Sequence, residues 1–343
     1  MKKIVFIWIG ESFPQWGFQA IDLALKYNQD IEIHLIISEI LIKQGLQIDK
    51  EVVVKKVEDY YTSDKSLESL NLLGDIGFRD KFWLRTTERY LVLKNYMIQE
   101  KIHSCFHAEL DNVIFNLDGL DSRLDQYGAG LFAPRESLER GVASFIYINN
   151  IGALEELCDG IYNSKNFLND MYLMGDFLDR NPKGYSLPTE NQFLNPEERG
   201  WRTVGIETTQ GIFDAIAIGM YLLGVDWRNI PMQVKSNMYL YEFMAFDLRK
   251  CKFKFDKSRL FMESNGNSQR IFNLHVHSKQ LHLFRDPKKI NKIIEKINKN
   301  KKTIIGKRYN IFFAPLLFSY QKAIGNKNLK NLLRFFYYKF IVK

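Results

Sequence analysis

The chain has 343 residues, 46% hydrophobic and 26% charged, which suits a large buried core and excludes a largely disordered protein. Its net charge of +8 is unevenly placed: residues 287–343 hold fifteen Lys or Arg and one acid, Glu295, while the rest carries 33 basic and 39 acidic groups. That asymmetry argues against nucleic acid as a partner of the main body, and three scattered cysteines, Cys105, Cys158 and Cys251, form neither a disulfide framework nor a metal-ligand spacing.

Ile4–Ile9 is a continuous apolar run, too short for a signal-peptide core and interrupted by Gly10-Glu11-Ser12, so it reads as a buried first strand. Phe13–Tyr27 predicts a helix opening at Pro14, and β-branched Ile31–Ile37 predicts a second strand. Strand, helix, strand in about forty residues is the opening of an α/β sheet with parallel order. Val52–Val57 reads as a further strand. Asp80–Gln99 predicts a long helix with Phe82, Tyr90, Leu93 and Met97 on one face, leading into a short strand at Ser104–His107.

The polar, glycine-rich stretch Asp118–Gly141 predicts an active-site loop. Ala143–Ile148 reads as a strand and Gly152–Phe177 as helical segments. Residues 180–211 gather prolines and glycines over a length that suits a functional loop. Ile212–Leu223 predicts a helix and Ile271–His277 a strand. No run of eighteen apolar residues exists to span a membrane.

The tail differs in kind. Ile290, Ile293, Ile294 and Ile297 recur at helical intervals among lysines, and residues 327–343 oppose Lys327, Lys330 and Arg334 to Leu329, Leu332, Leu333 and Phe336. A basic, aromatic helix of this kind suits an anionic bilayer surface; the competing reading docks it on the acidic body.

The chemistry concentrates at Phe106-His107-Ala108-Glu109-Leu110-Asp111-Asn112-Val113. An apolar strand delivers two carboxylates at its C-terminal end, where open α/β sheets place ligands. Strand alternation predicts that Glu109 and Asp111 share one face while Leu110 turns into the core. Two carboxylates there suit a hard divalent cation bridging the phosphates of a nucleotide. Two acids ending a strand at the surface is the plainer alternative. Asp214 stands at the start of an apolar helix, as a general base or as a plain N-cap; Asp170 carries a similar but weaker signal. Trp201 and Trp227 suit sugar stacking or ordinary packing.

The strand–helix–strand opening, the helix before the acids and the Glu109–Asp111 pair resemble the GT-A-type glycosyltransferases with a DxD-type motif. Phe106–Val113, the run Gly211–Asp226 and Asn273-Leu274-His275-Val276-His277-Ser278-Lys279 are similar to one kind within that fold, found in bacterial surface-polysaccharide (capsule or lipopolysaccharide) biosynthesis. The resemblance covers roughly residues 1–285, with Glu as the first acid and Met220 where it implies a glutamine.

The resemblance implies a GT-A-like α/β domain over residues 1–286, its nucleotide-sugar half about 1–117 and its acceptor half about 118–286, followed by a basic, aromatic helical tail at 287–343. It implies transfer from a nucleotide-sugar donor to a saccharide or lipid-linked acceptor with a divalent metal, Mn2+ or Mg2+. Asp111 is then the principal metal ligand, Glu109 acts through water or the donor ribose, and His275 or His277 completes the metal shell. Lys279 meets the diphosphate, Arg85 or Arg89 reaches the nucleotide, and Asp214 serves the acceptor. The expected location is cytoplasmic, peripheral on the inner face of the cytoplasmic membrane.

Two other functions compete. A sugar-1-phosphate nucleotidyltransferase needs a glycine-rich basic loop after the first strand, which Ile9–Pro14 lacks. A non-enzymatic membrane-surface module would depend on the tail alone.

Overall fold

The computed structural model describes residues 2–61, 82–163, 169–194, 202–224 and 246–300. Strands β1 (Lys2–Trp8), β2 (Ile31–Ile37), β3 (Val52–Lys56), β4 (Cys105–Ala108), β6 (Leu131–Pro134), β7 (Phe145–Ile148) and β8 (Gly184–Leu187) form one sheet in the order β3-β2-β1-β4-β7-β6-β8. The first four are parallel, β7 runs antiparallel to both neighbours, and β6 and β8 are parallel again. The result is the expected mixed α/β fold with a largely parallel central sheet flanked by helices.

Both faces of the sheet are covered, and β1 shows why its sequence is apolar without alternation. Ile4 and Phe6 enter one core, with α1 (Gln15–Tyr27) and Phe106; Val5 and Ile7 enter the other, with Tyr90, Leu93 and Met97. The latter belong to α2 (Phe82–Gln99), which packs on α4 (Ile151–Asn163) and α5 (Asp170–Arg180). The predicted start of α2 at Asp80 lies outside the described residues.

Three expectations are corrected. Asp118–Gly141 is not mainly loop: it contains α3 (Leu120–Tyr127) and β6, because Leu120 and Leu124 turn one helical face into the core. The helix expected at Ile212–Leu223 is only α6 (Ala217–Leu223). Its upstream residues have their N–H groups drawn into tertiary bonds, Ile212 to the Arg270 carbonyl at 2.7 Å, Phe213 to that of Pro188 at 2.8 Å and Asp214 to Asn273 Oδ1 at 3.1 Å.

The strand expected at Ile271–His277 breaks at Phe272. Its first part ends the antiparallel meander β9 (Lys252–Asp256), β10 (Arg259–Ser264) and β11 (Asn267–Ile271). The rest is β12 (Asn273–His275), which pairs antiparallel with β5 (Asn112–Ile114). The β10–β11 hairpin turns on Asn265-Gly266, both at positive φ, a turn signal present in the sequence.

Residues 287–300 are helical, as their isoleucine spacing predicts, and form α7 (Pro287–Asn300) on the body of the fold. Ile290, Ile294 and Ile297 are buried in the same core as Phe253, and the Asn298 side chain bonds both the Phe253 N–H at 2.9 Å and its carbonyl at 2.7 Å. Burial of three isoleucines contributes about 1.5–3 kcal/mol each, so the apolar face docks, while Lys288, Lys289, Lys292, Lys296 and Lys299 stay exposed on the other face. Residues 301–343 lie outside the described ones, as do Trp201, Trp227 and the end of the Gly211–Asp226 run. Among the described residues, no helix is long and apolar enough to cross a membrane.

Candidate active site

The acidic pair lies on a turn, not on the strand face expected from alternation. β4 ends at Ala108; Glu109, Leu110 and Asp111 turn the chain into β5, closed by the Asn112 N–H on the Glu109 carbonyl at 3.1 Å. Glu109 donates its N–H to the Ser144 carbonyl at 3.0 Å, and the Asp111 carbonyl accepts from Val276 at 2.8 Å. Leu110 is buried as expected, now because the turn folds back onto α1 rather than because a strand alternates.

That turn meets β12. Asn112 is in register with His275, so the imidazole is carried to the carboxylates, 3.4 Å from Asp111 Oδ2 and 3.6 Å from Glu109 Oε2 through Nε2. One ligand atom each from Glu109, Asp111 and His275 lies within 4.8 Å of the others. His275 Nδ1 bonds the Ala215 carbonyl at 2.8 Å, which orients the ring and aims Nε2 at the acids. His277 lies past the strand end, its ring centroid 4.4 Å from that of His275, and is not part of the three-residue group.

Two cations flank the acids. Lys279, at positive φ, bonds Asp111 Oδ2 and stands 5.8 Å from the centre of the Trp16 ring. Arg89 bonds Glu109 Oε1 and lies 3.9 Å from the buried Asp170. Arg85, one turn earlier on α2, pairs instead with Glu88 at 2.7 Å, so the structure brings Arg89 to the acids and not Arg85.

The charges explain the titration. Burial alone would raise Asp111, but the neighbouring Lys279 and His275 hold it well below the usual carboxylate range. Burial works against a charged His275, yet Asp111 and Glu109 overcome it and push its pKa up to about 9. Burial raises Asp170 to about 6 against the pull of Arg89. At neutral pH the His275 imidazole therefore carries a proton facing Asp111.

The donor set fits a divalent cation: two carboxylates and one imidazole are oxygen-rich with a single borderline ligand, as Mn2+ takes readily and Mg2+ tolerates. Asp111 Oδ1 is buried with no hydrogen-bond partner, the orphan oxygen that such an ion satisfies.

Asp214 stands behind the site. It is fully buried, and its carboxylate accepts N–H groups from Ile218 at 2.9 Å, Gly219 at 2.8 Å and His275 at 2.9 Å. Burial raises its pKa to about 6, opposed by the His275 charge and these three donors. Ile216, not Asp214, occupies the cap position of α6, yet the Asp214 carboxylate takes the N–H groups of the second and third helical residues and adds a link to β12. Gly219 permits it: a Cβ there would overlap the His275 carbonyl oxygen and lie 2.9 Å from Asp214 Oδ2.

Sequence reasoning missed two acids beside this core. Glu190, directly after β8 and in a single 3-10 turn, is buried, and burial with the Asp214 charge pushes its pKa up to about 8. Glu136, just after β6, has a buried side chain 3.4 Å from Arg140 and within electrostatic reach of His275; burial raises it to about 7. Each has an Oε2 with no partner. The available signal was position, since both follow the C-terminal end of a sheet strand on the side where Glu109 follows β4. His107 is structural: it is buried, bonds the Val5 carbonyl at 2.9 Å, and burial lowers its pKa to about 3.

The turn after β1 offers no phosphate cradle of the nucleotidyltransferase sort. Ser38 Oγ accepts the Gly10 N–H at 3.0 Å, and the Trp8 indole bonds the Ser12 carbonyl at 2.9 Å.

No protein-family model matches the chain, and no curated protein matches it. Among solved structures it is similar to mouse xyloside xylosyltransferase 1 in its apo form, at 11% identity and a TM-score of 0.38 over 60% of this chain and 94% of that one. It is also similar to the galactosyltransferase LgtC in complex with donor and acceptor sugar analogs, at 14% identity and a TM-score of 0.32 over 51% and 70%. A third likeness is to apo GlyE of Streptococcus pneumoniae TIGR4, at 16% identity and a TM-score of 0.33 over 56% and 46%.

Proposed function

We propose that the chain is a metal-dependent glycosyltransferase that moves a sugar from a nucleotide-sugar donor to a saccharide or lipid-linked saccharide acceptor. The observation that carries this reading is the convergence of Glu109, Asp111 and His275 between two cations, Arg89 and Lys279, at the C-terminal end of the sheet. Carboxylates with an adjacent ammonium suit a diphosphate held through a cation.

In this reading Asp111 and His275 hold Mn2+ or Mg2+, with Glu109 as a third ligand or acting through water or the donor ribose. The bound cation would stabilise charge on the departing diphosphate. Lys279 neutralises the same diphosphate as a point charge. Arg89 fixes Glu109 in place, and its own burial makes it a positioning group unless the donor displaces that bond.

Glu136 and Glu190 supply carboxyls with uncommitted oxygens for the hydroxyls of the sugars. We assign Asp214 the positioning of His275, through its bond to the His275 N–H, ahead of proton transfer from the acceptor. Bacterial surface polysaccharide remains the proposed setting, with the exposed lysines of α7 and residues 301–343 meeting an anionic membrane surface from the cytoplasmic side.

The test is turnover of a panel of nucleotide sugars with Mn2+, read as released nucleoside diphosphate. Asp111→Ala should remove that release while keeping the unfolding midpoint. Equal release from wild type and variant would refute the assignment.

A further inference from the structure

A second charged cluster lies away from these acids. β5 begins opposite His275 and ends with Ile114 opposite Asn273, so the chain leaves the acidic turn and reaches Asn116 up to roughly 16 Å farther on. There Arg270, at the end of β11, donates Nη2 to the Asn116 carbonyl and, at 2.8 Å, to Asn116 Oδ1. Its guanidinium carbon stands 4.6 Å from the centre of the Phe272 ring. Asn116 Nδ2 bonds Asp118 Oδ2 at 2.8 Å, Asp118 returns its N–H to Asn116 Oδ1 at 3.1 Å, and Arg123 Nη2 reaches the Asp118 carbonyl at 3.5 Å.

This network holds two guanidiniums, and two carboxylates partly offset them: Asp118 acts on Arg270, and Asp121, paired with Lys2 at 2.7 Å, acts on Arg123. Neither Arg123 nor Arg270 forms an ion pair within 4 Å among the described residues, and Arg259 on β10 adds a third positive charge within electrostatic reach. Arg123 Nε and Arg270 Nε are both buried without a partner, although a buried donor normally finds one. Burial, then the charges of Arg259 and Arg123, lower Arg270 to about 10. An oxyanion would supply the acceptor that both Nε–H groups lack.

We propose that Arg123 and Arg270, with Arg259 at the rim, form a binding site for a phosphate-class oxyanion, separate from the Glu109–Asp111–His275 centre. Arg270 Nη2 already spends both protons on Asn116, so the donors left without an acceptor are the two Nε–H groups, and a phosphate has enough oxygens to accept from both. The source is either free phosphate or the phosphate of a lipid headgroup.

The experiment uses the full chain in EDTA, so that no cation recruits phosphate to the acids. The unfolding midpoint is followed against inorganic phosphate, with chloride at matched ionic strength, and sedimentation with phosphatidic acid vesicles is measured in parallel. Stabilisation by phosphate, or vesicle binding, should be present in wild type and in Lys279→Ala. Arg123→Gln should weaken it about tenfold or more, the loss of a charged hydrogen bond, while Arg123→Lys keeps part of it. Arg123 is partly exposed, so its variant tests the site even if Arg270→Gln fails to fold. A response to phosphate identifies the free ion and a response to vesicles alone the lipid. A response that Arg123→Gln leaves unchanged, or no response to either probe, overturns the proposal.

Discussion

The buried carboxylate of Asp214 accepts the backbone N–H of His275 at 2.9 Å, and thereby ties the N-terminal turn of α6 to the strand that carries the imidazole. Its other N–H partners are Ile218 and Gly219, so one side chain sets the distance between helix and strand. In the sequence these residues are 61 positions apart, and nothing in their spacing announces the contact.

Asp214→Asn should therefore act on metal binding as well as on stability. An amide turned toward backbone N–H groups leaves at least one donor unpaired, costing about 1–3 kcal/mol. The expected result is a lower unfolding midpoint together with Mn2+ affinity weakened about tenfold. Normal metal affinity with only turnover lost would instead restore Asp214 as the base that takes the acceptor proton.

The elevated pKa of His275 predicts how metal binding depends on pH. Its value of about 9 means that the imidazole is protonated at neutral pH, and the proton must leave before Nε2 can coordinate. Mn2+ affinity should climb by about tenfold per pH unit between pH 6 and pH 8. The same proton stabilises the metal-free fold, fully so below about 6.5, and that contribution fades as pH rises through 9. Calorimetric titration at three pH values checks the slope, and His275→Asn should flatten it.

Glu190 titrates in the opposite sense from a salt-bridged acid. Its folded pKa of about 8 exceeds the ordinary 4.5, so between these values the folded chain keeps a proton that the unfolded chain has lost. Stability falls as pH rises across that window. Glu190→Gln removes the effect, so its unfolding midpoint should match wild type near pH 5, exceed it increasingly up to about pH 8, and keep a constant lead above that. If Glu190 contacts a sugar hydroxyl, the same variant loses turnover at pH 7 while metal affinity holds. A midpoint difference that does not vary with pH would remove Glu190 from the account.

Much of the sheet was legible because its strands are buried and rich in β-branched residues: Ile31–Ile37, with four isoleucines, coincides with β2. Helix α1 announced itself through Pro14 and the spacing of its buried residues. The acidic pair was legible as chemistry but not as geometry, since two residues of strand alternation and a tight turn both bring Glu109 and Asp111 together. Ile212–Ile216 looked helical because apolar composition does not reveal that backbone donors are engaged by β11, β12 and the residue after β8. Glu136 and Glu190 were invisible for a related reason: each is a single acid in a loop, and its burial beside Asp214 and His275 is a property of the assembled sheet.

The central claim is that Glu109, Asp111 and His275 hold a cation through which a nucleotide binds. Calorimetric titration of UDP, GDP and CMP, each with and without Mn2+, into wild type and Asp111→Ala tests it most directly. The account predicts that one nucleotide binds only with Mn2+, and that Asp111→Ala abolishes this binding while remaining folded. Binding of equal strength without the metal or in the variant, or no binding of any nucleotide, would contradict it.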